Sequence, residues 1–160
     1  MSGRRASVLG VVLALALAAA APAPAKAPPS FALWTAKYRA QTDKPIDEVG
    51  DKCIALHGET ADRKIGECWV KGLRVILRRQ QPQWERAVAA IAKGQSESCR
   101  KAIHRYWLAS RKGQAAILIY LDAHQHTRMT EVASDLDEEP HATLKNQTDA
   151  AKSAAIRTCG

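Results

Sequence analysis

Cys53 and Cys68 bracket the stretch CIALHGETADRKIGEC, and between them the chain turns at His57-Gly58 and begins a new helix near Thr60. A bridge between these two sulfurs would pin the helices on either side into a hairpin and fix both their direction and their register. Cys99 and Cys159 follow, so that successive cysteines are separated by 15, 31 and 60 residues. These intervals match no zinc pattern, and there is no C-x-x-C redox pair or C-x-x-C-H haem site. Two disulfides are the remaining use of four cysteines, provided the chain folds in an oxidising compartment.

The first residues point to such a compartment. Arg4 and Arg5 form a positive start, and Val8 to Ala21 is an apolar, small-residue run shorter than the roughly 20 residues that span a bilayer. We read residues 1–25 as a secretory signal, cut after Ala20 or Ala25, with an uncleaved anchor as the lesser alternative. No cysteine near the cut offers a lipoprotein anchor. Residues 26–30 end a Pro/Ala tract, APAPAKAPPS, which has no apolar face and reads as a linker. Residues 31–160 then form one domain with a modest core. Loss of Arg4 and Arg5 with the signal lowers the formal charge from +8 to +6. No later run is apolar enough for a membrane span.

Of three connectivities we favour Cys53–Cys68 with Cys99–Cys159. Closing loops of 15 and 60 residues restricts the unfolded chain by about 3 and about 4 kcal/mol in the chain-entropy picture.

The apolar period is helical throughout. Ser30 can cap a short helix bearing Phe31, Leu33, Trp34 and Tyr38, and Lys44-Pro45 opens another through Ile46, Val49, Cys53 and Leu56. Thr60 is expected to cap a third helix, with Asp62 in its first turn and Ile65, Trp69, Leu73, Ile76 and Leu77 along one face. Gln80-Gln81-Pro82 should break it, and the next helix carries Trp84, Val88 and Ile91 up to Gly94. Ser96 caps a helix in which Cys99, Ile103 and Trp107 stand four apart; Gly113 interrupts or softens it. Ile117, Leu118, Leu121, Met129 and Val132 continue the period. Ser134 to Pro140 reads as a loop, and His141 to Thr158 as a polar, alanine-rich last helix. Only Ala115 to Leu121 could be argued as a strand. The fold class is therefore all-α: a small helical array stapled by two disulfides.

Charge is segregated. Residues 63–112 hold thirteen Lys/Arg and three acids, whereas 122–149 hold seven acids and two bases. Arg74, Arg78, Arg79, Arg100, Arg105 and Lys112, interleaved with Trp84, Tyr106 and Trp107, are the candidates for holding a polyanion. An ordinary solvated helix face accounts for the same pattern, and export argues against nucleic acid. Asp135, Asp137, Glu138 and Glu139 form the one dense anionic feature. Their adjacency does not give the opposed carboxylates of glycoside chemistry, but it offers an interaction loop for a cationic partner.

We expect no cofactor and no metal: His124 and His126, two apart on a helix, point about 200° from each other, and His57, His104 and His141 are isolated. No G-x-S-x-G, H-E-x-x-H or Walker loop is present, so a binding protein is expected rather than an enzyme. Asn146-Gln147-Thr148 is a formal glycosylation sequon with meaning only in a eukaryotic secretory pathway.

Cys53, Thr60 and Cys68, followed by HRYWLASR from His104 to Arg111, resemble the N-terminal domain family of the lysozyme inhibitor LprI, whose pattern is a cysteine, a threonine about seven residues before a second cysteine, and a later Q-R-x-W-x-x-x-R helix. His104 stands in place of the glutamine, and Ala115 where the family has a further cysteine, with Cys99 the candidate to take over that bridge. The resemblance covers most of Cys53 to Cys159 and implies an exported bacterial helical module, in some members an inhibitor of lysozyme. Within it, Trp107 and Arg111 are four apart, so the guanidinium can lie over the indole.

Two functions are carried forward for a monomeric periplasmic or secreted bacterial protein. In the leading one, the acidic loop meets the positive surface of a lysozyme or other cell-wall hydrolase. In the alternative, the basic helices hold an anionic cell-surface polymer.

Overall fold

The structure, a computed structural model, describes residues 30–160. The expected signal at 1–25 and all but Ser30 of the linker lie outside the described residues. Five helices follow in order: α1 Phe31–His57, α2 Asp62–Ala92, α3 Glu97–Ala123, α4 Met129–Asp137 and α5 His141–Cys159. No strand occurs among the described residues, and Ala115 to Leu121 is helical.

Both expected disulfides are formed, Cys53–Cys68 with Cα atoms 5.7 Å apart and Cys99–Cys159 with Cα atoms 5.1 Å apart. The first fixes an antiparallel α1–α2 hairpin. Along that hairpin Val49 meets Gly72, so closely that a Cβ on Gly72 would stand 2.5 Å from Val49 Cγ1. Further on, the rings of Tyr38 and Trp84 lie 4.6 Å apart. The second disulfide ties α5 back to the start of α3. At the same end Ser30 accepts from the Leu33 N–H at 3.4 Å and donates to the Gly160 carbonyl at 2.6 Å, which brings the two ends of the domain together.

Two apolar clusters divide the core. One gathers Phe31, Trp84, Val88, Ile91, Ile103, Tyr106 and Ala155 around the Cys99 sulfur. The other gathers Val70, Leu73, Leu77, Tyr120, Leu121 and Val132. In the first, Phe31, Trp34, Tyr38, Trp84 and Tyr106 form a chain of aromatic contacts with centroids 4.6 to 5.8 Å apart. Such pairs add about 0.5–1.5 kcal/mol each beyond their buried area.

Four expected boundaries are corrected. Neither Pro45 nor Pro82 breaks its helix: α1 and α2 each run through the proline. A proline inside a helix removes one hydrogen bond and crowds the preceding turn, at about 3 kcal/mol. Packing on both sides of each proline offsets this. Residues Phe31 and Trp34 precede Pro45 and Cys53 follows it; Leu73 and Leu77 precede Pro82 and Trp84 and Val88 follow it. Thr60 is exposed and does not cap α2, whose N-cap is Ala61 without a side-chain hydrogen bond. Ser134 to Asp137 belong to α4, not to a loop; the turn is confined to Glu138–Pro140.

The short α4 is held from outside. Asp62, in the first turn of α2, accepts from the Thr130 N–H at 3.2 Å and from the Thr130 hydroxyl at 2.8 Å. Gly66 lets the chain pass: a Cβ there would stand 2.3 Å from the Thr127 carbonyl oxygen. Val132, fully buried, and Leu136 then dock on the second cluster. No helix among the described residues is long and apolar enough to cross a membrane. Two disulfides and no free cysteine fit an oxidising, extracytoplasmic compartment.

Candidate functional site

The four acidic candidates lie at the corner between α4 and α5, and each has a partner inside the chain. Half-buried Asp135 accepts from the Tyr120 hydroxyl at 2.7 Å. Burial pushes the Tyr120 phenol well above its ordinary range; donating to Asp135, and the negative charges of Asp135 and Glu131, push it in the same direction. Asp137 stands 3.9 Å from Lys145 Nζ. Glu138 accepts from Ser134 at 3.0 Å and Glu139 from Thr143 at 2.7 Å. The run is a set of local caps and ties where sequence showed only a dense anionic loop. His141 joins this corner, its Nδ1 3.1 Å from the Asp135 carbonyl and its ring edge-on to Tyr120.

The six basic candidates separate into two groups. Arg74 and Arg78, on α2, share Asp122 at the end of α3. Arg74 Nε is 2.5 Å from one carboxylate oxygen, though not aligned for a hydrogen bond, and Arg78 Nη2 donates to both oxygens at 3.1 and 3.0 Å. Arg79, next to Arg78 in the chain, is exposed on α2 and does not share Asp122. Arg100, Arg105 and Lys112 lie together on the outer face of α3.

That face is built by the inner one. Cys99, Ala102, Ile103 and Tyr106 are buried against α5 and α2, which turns residues 100, 101, 104, 105, 108, 111 and 112 to solvent. At about 100° per residue these positions fill an arc of roughly 140° and a length of about 18 Å. Lys101, His104 and Arg111 therefore join the three predicted cations, and exposed Leu108 lies among them. Sequence reading passed over Lys101 and His104 as site residues; the signal was their spacing, with Lys101 four from Arg105 and His104 four from both Arg100 and Leu108. Arg111 sits over the Trp107 ring at 5.4 Å from its centroid, the expected cation–π contact. No acid occurs between Ser98 and Leu121. Glu97, one turn earlier, holds Lys101 at 2.7 Å; among the described residues no ion pair neutralises Arg100, Arg105, Arg111 or Lys112.

Beside this face the α3–α5 seam opens a groove of about 570 Å³, lined by Ala102, Ala151 and Ala154, by Lys101 and Arg105, and at its α3 start by Glu97, which pairs with Lys101. Small residues on α5 leave the space, and the cations that line it come from α3. The arrangement can hold an extended anion by charge, but it brings together no nucleophile, base and oxyanion donors. Among the described residues no group of three or more His, Cys, Asp or Glu could hold a metal ion. No model of a protein family matches the chain, and no curated protein or solved structure matches it either.

Proposed function

We propose that the chain is an exported bacterial binding protein, periplasmic or secreted, that holds an anionic cell-surface polymer on the outer face of α3. The observation that supports this is the continuous stripe Arg100, Lys101, Arg105, Arg111 and Lys112, with no acid between Ser98 and Leu121. Like charges at i and i+4, as Lys101 and Arg105 are, cost a helix a few tenths of a kcal/mol. An extended polyanion removes that repulsion and gains by releasing its own counterions.

The test is binding of the mature chain to inorganic polyphosphate and to neutral dextran across a salt series. We expect binding to polyphosphate alone, weakening linearly on a log–log salt plot. In Arg105→Ala/Lys112→Ala the slope should fall by about two, one for each cation removed. Polyphosphate binding that ignores salt, or that the double variant leaves unchanged, would refute the proposal.

The resemblance to the LprI N-terminal domain motivates a second reading, inhibition of a lysozyme; the Trp107–Arg111 contact is the packing device of its helix motif and supplies no inhibitory residue. The acidic corner serves it less well, since Asp135, Asp137, Glu138 and Glu139 already have partners. A turbidity assay of muramidase activity separates the two: inhibition lost in Asp137→Asn/Glu138→Gln and retained in the α3 variant would favour the second.

A further inference from the structure

The outer side of the α1–α2 hairpin carries a groove of about 620 Å³. It lies on the side of α2 turned away from α3. Val75 is about 200° of helical turn from buried Leu73, which belongs to the cluster shared with Leu121 of α3 and Val132 of α4. Aliphatic side chains of both helices line the groove, Val49 and Leu56 from α1 and Val75 and Ile76 from α2. Leu56 is 72% exposed and Val75 55%, so neither is used by the core. Exposed aliphatic side chains grouped on two neighbouring helices and rimmed by charge mark a protein or a membrane contact. The rim here is lysine. Lys64 and Lys71 line the groove from α2, and exposed Lys52 on α1 stands three residues from Val49 and four from Leu56, on the same face. Among the described residues no ion pair engages Lys52, Lys64 or Lys71. The one acid on the lining, Glu67, is already held by Arg63 at 3.4 Å and stands 3.3 Å from His126.

The residue types choose between the two kinds of contact. Protein interfaces are enriched in Trp, Tyr, Phe and Arg and poor in Lys, whereas this groove is lined by aliphatic residues and lysine and by none of those four. A soluble anion would use the lysines and leave Leu56 and Val75 in water; an uncharged apolar molecule would do the reverse. A bilayer containing acidic lipids takes both. Aliphatic side chains enter its acyl boundary, while lysine stems lie along apolar surface and carry their ammonium groups to the headgroups. From Lys64 to Ile76 the contact runs about 18 Å along α2. We infer that the outer face of the α1–α2 hairpin docks on the surface of an anionic bilayer, with Leu56 and Val75 entering the acyl boundary and Lys52, Lys64 and Lys71 meeting acidic headgroups. The chain lies on the membrane without crossing it. Because α3 packs on the opposite side of α2, its outer cations do not meet the same surface.

The experiment is co-sedimentation of the mature, oxidised chain with phosphatidylcholine vesicles, with and without phosphatidylglycerol, at physiological salt. We expect binding only when phosphatidylglycerol is present. Lys64→Gln/Lys71→Gln should weaken it about thirty-fold and Leu56→Ser/Val75→Ser about ten-fold. All four positions are exposed, so these variants keep the fold, which circular dichroism checks. Arg105→Ala/Lys112→Ala, on the outer face of α3, should leave binding nearly unchanged. In bicelles of the same lipids a doxyl-labelled lipid should broaden the methyl resonances of Leu56 and Val75 and spare those of Leu108. Binding that survives Leu56→Ser/Val75→Ser, or broadening at Leu108 instead of Leu56, would overturn the proposal, since charge alone or the α3 stripe would then make the contact. A dimer in sedimentation equilibrium that the same apolar pair abolishes would overturn it by giving the face to a second copy. Equal binding to both kinds of vesicle, or to neither, would overturn it as well, and would leave polyphosphate binding by α3 untouched.

Discussion

Removing the two disulfides one at a time should cost unequal amounts, and the structure says which costs more. Cys53 and Cys99 are equally buried, at 2% exposure each, and their partners Cys68 and Cys159 are both half-buried. Alanine pairs at the two sites therefore leave similar cavities, and the difference between them reports mainly the loop that each bridge closes. Those loops are 15 and 60 residues, worth about 3 and about 4 kcal/mol of unfolded-state restriction. Cys99→Ala/Cys159→Ala should thus lose about 1 kcal/mol more than Cys53→Ala/Cys68→Ala in urea unfolding. Location sharpens the expectation. On α5, Ala155 is fully buried and Leu144, Ala151 and Ile156 pack less completely, so the helix is held to α3 largely by small side chains with Cys159 as its covalent anchor, and Ser30 depends on Gly160 for its outward bond. Hydrogen exchange in the Cys99/Cys159 variant should speed along α5 and the first turn of α1 while the α1–α2 hairpin stays protected. If the Cys53/Cys68 variant proves the less stable, or α5 keeps its protection without Cys159, then loop closure does not govern these bridges and the reasoning fails.

The close approach of α2 to the chain entering α4 predicts that Gly66→Ala, whose Cβ would meet the Thr127 carbonyl, destabilises by about 1–3 kcal/mol. Gly50→Ala, with its nearest neighbour 3.8 Å away, should instead stabilise α1 by about 0.5–1 kcal/mol; thermal melts of both variants check the pair. Burial raises both Tyr38 and Tyr120 above the ordinary phenol value of 10.0, so the unfolded chain releases those protons first. Stability from these groups is complete below pH 10 and declines as pH rises above it. Tyr120→Phe, which loses the bond to Asp135, should start about 1–2 kcal/mol lower and fall less steeply in alkali, as denaturant melts between pH 8 and pH 11 would show. An equal alkaline slope in the variant would remove Tyr120 as the cause.

Much of this fold was written in local pattern. The caps Ser30 and Ser96, the buried faces of α2 and α3, the stacking of Arg111 on Trp107 and the pairing of four cysteines all rest on spacings of three and four or on loop length, which sequence displays directly. The misread boundaries share a different cause. Pro45 and Pro82 are strong local breakers, and they are overruled by contacts made across the hairpin, such as Tyr38 with Trp84. The acidic stretch from Ser134 looks like a loop because its polar residues mask a single apolar pair, Val132 and Leu136, four apart. Its first turn is satisfied by Asp62, 68 residues away. Thr60 had the right side chain for a cap, yet α2 starts two residues later, with Ala61 as its cap.

The sign of a charged stretch is legible in sequence, but whether its charges are available to a partner is decided by tertiary pairing. Arg74 and Arg78 look equivalent to Arg100 and Arg105 until Asp122, 44 residues beyond Arg78, closes on both of them. What remains on α3 is a stripe in which Lys101 has Glu97 and Arg111 has the Trp107 ring, while Arg100, Arg105 and Lys112 have no ion pair among the described residues, so pairing within the fold does not account for those three. A ligand that binds only the folded chain raises its stability by RT ln(1 + [L]/Kd), and one that also neutralises the stripe should do so most at low salt. Polyphosphate should therefore raise Tm at low ionic strength, by an amount that fades as salt is added. The same rise should be absent from Arg105→Ala/Lys112→Ala. A rise that survives in that variant would mean that the polymer engages Arg79 or the α2 surface instead, and the outer face of α3 would then be no more than a solvated helix.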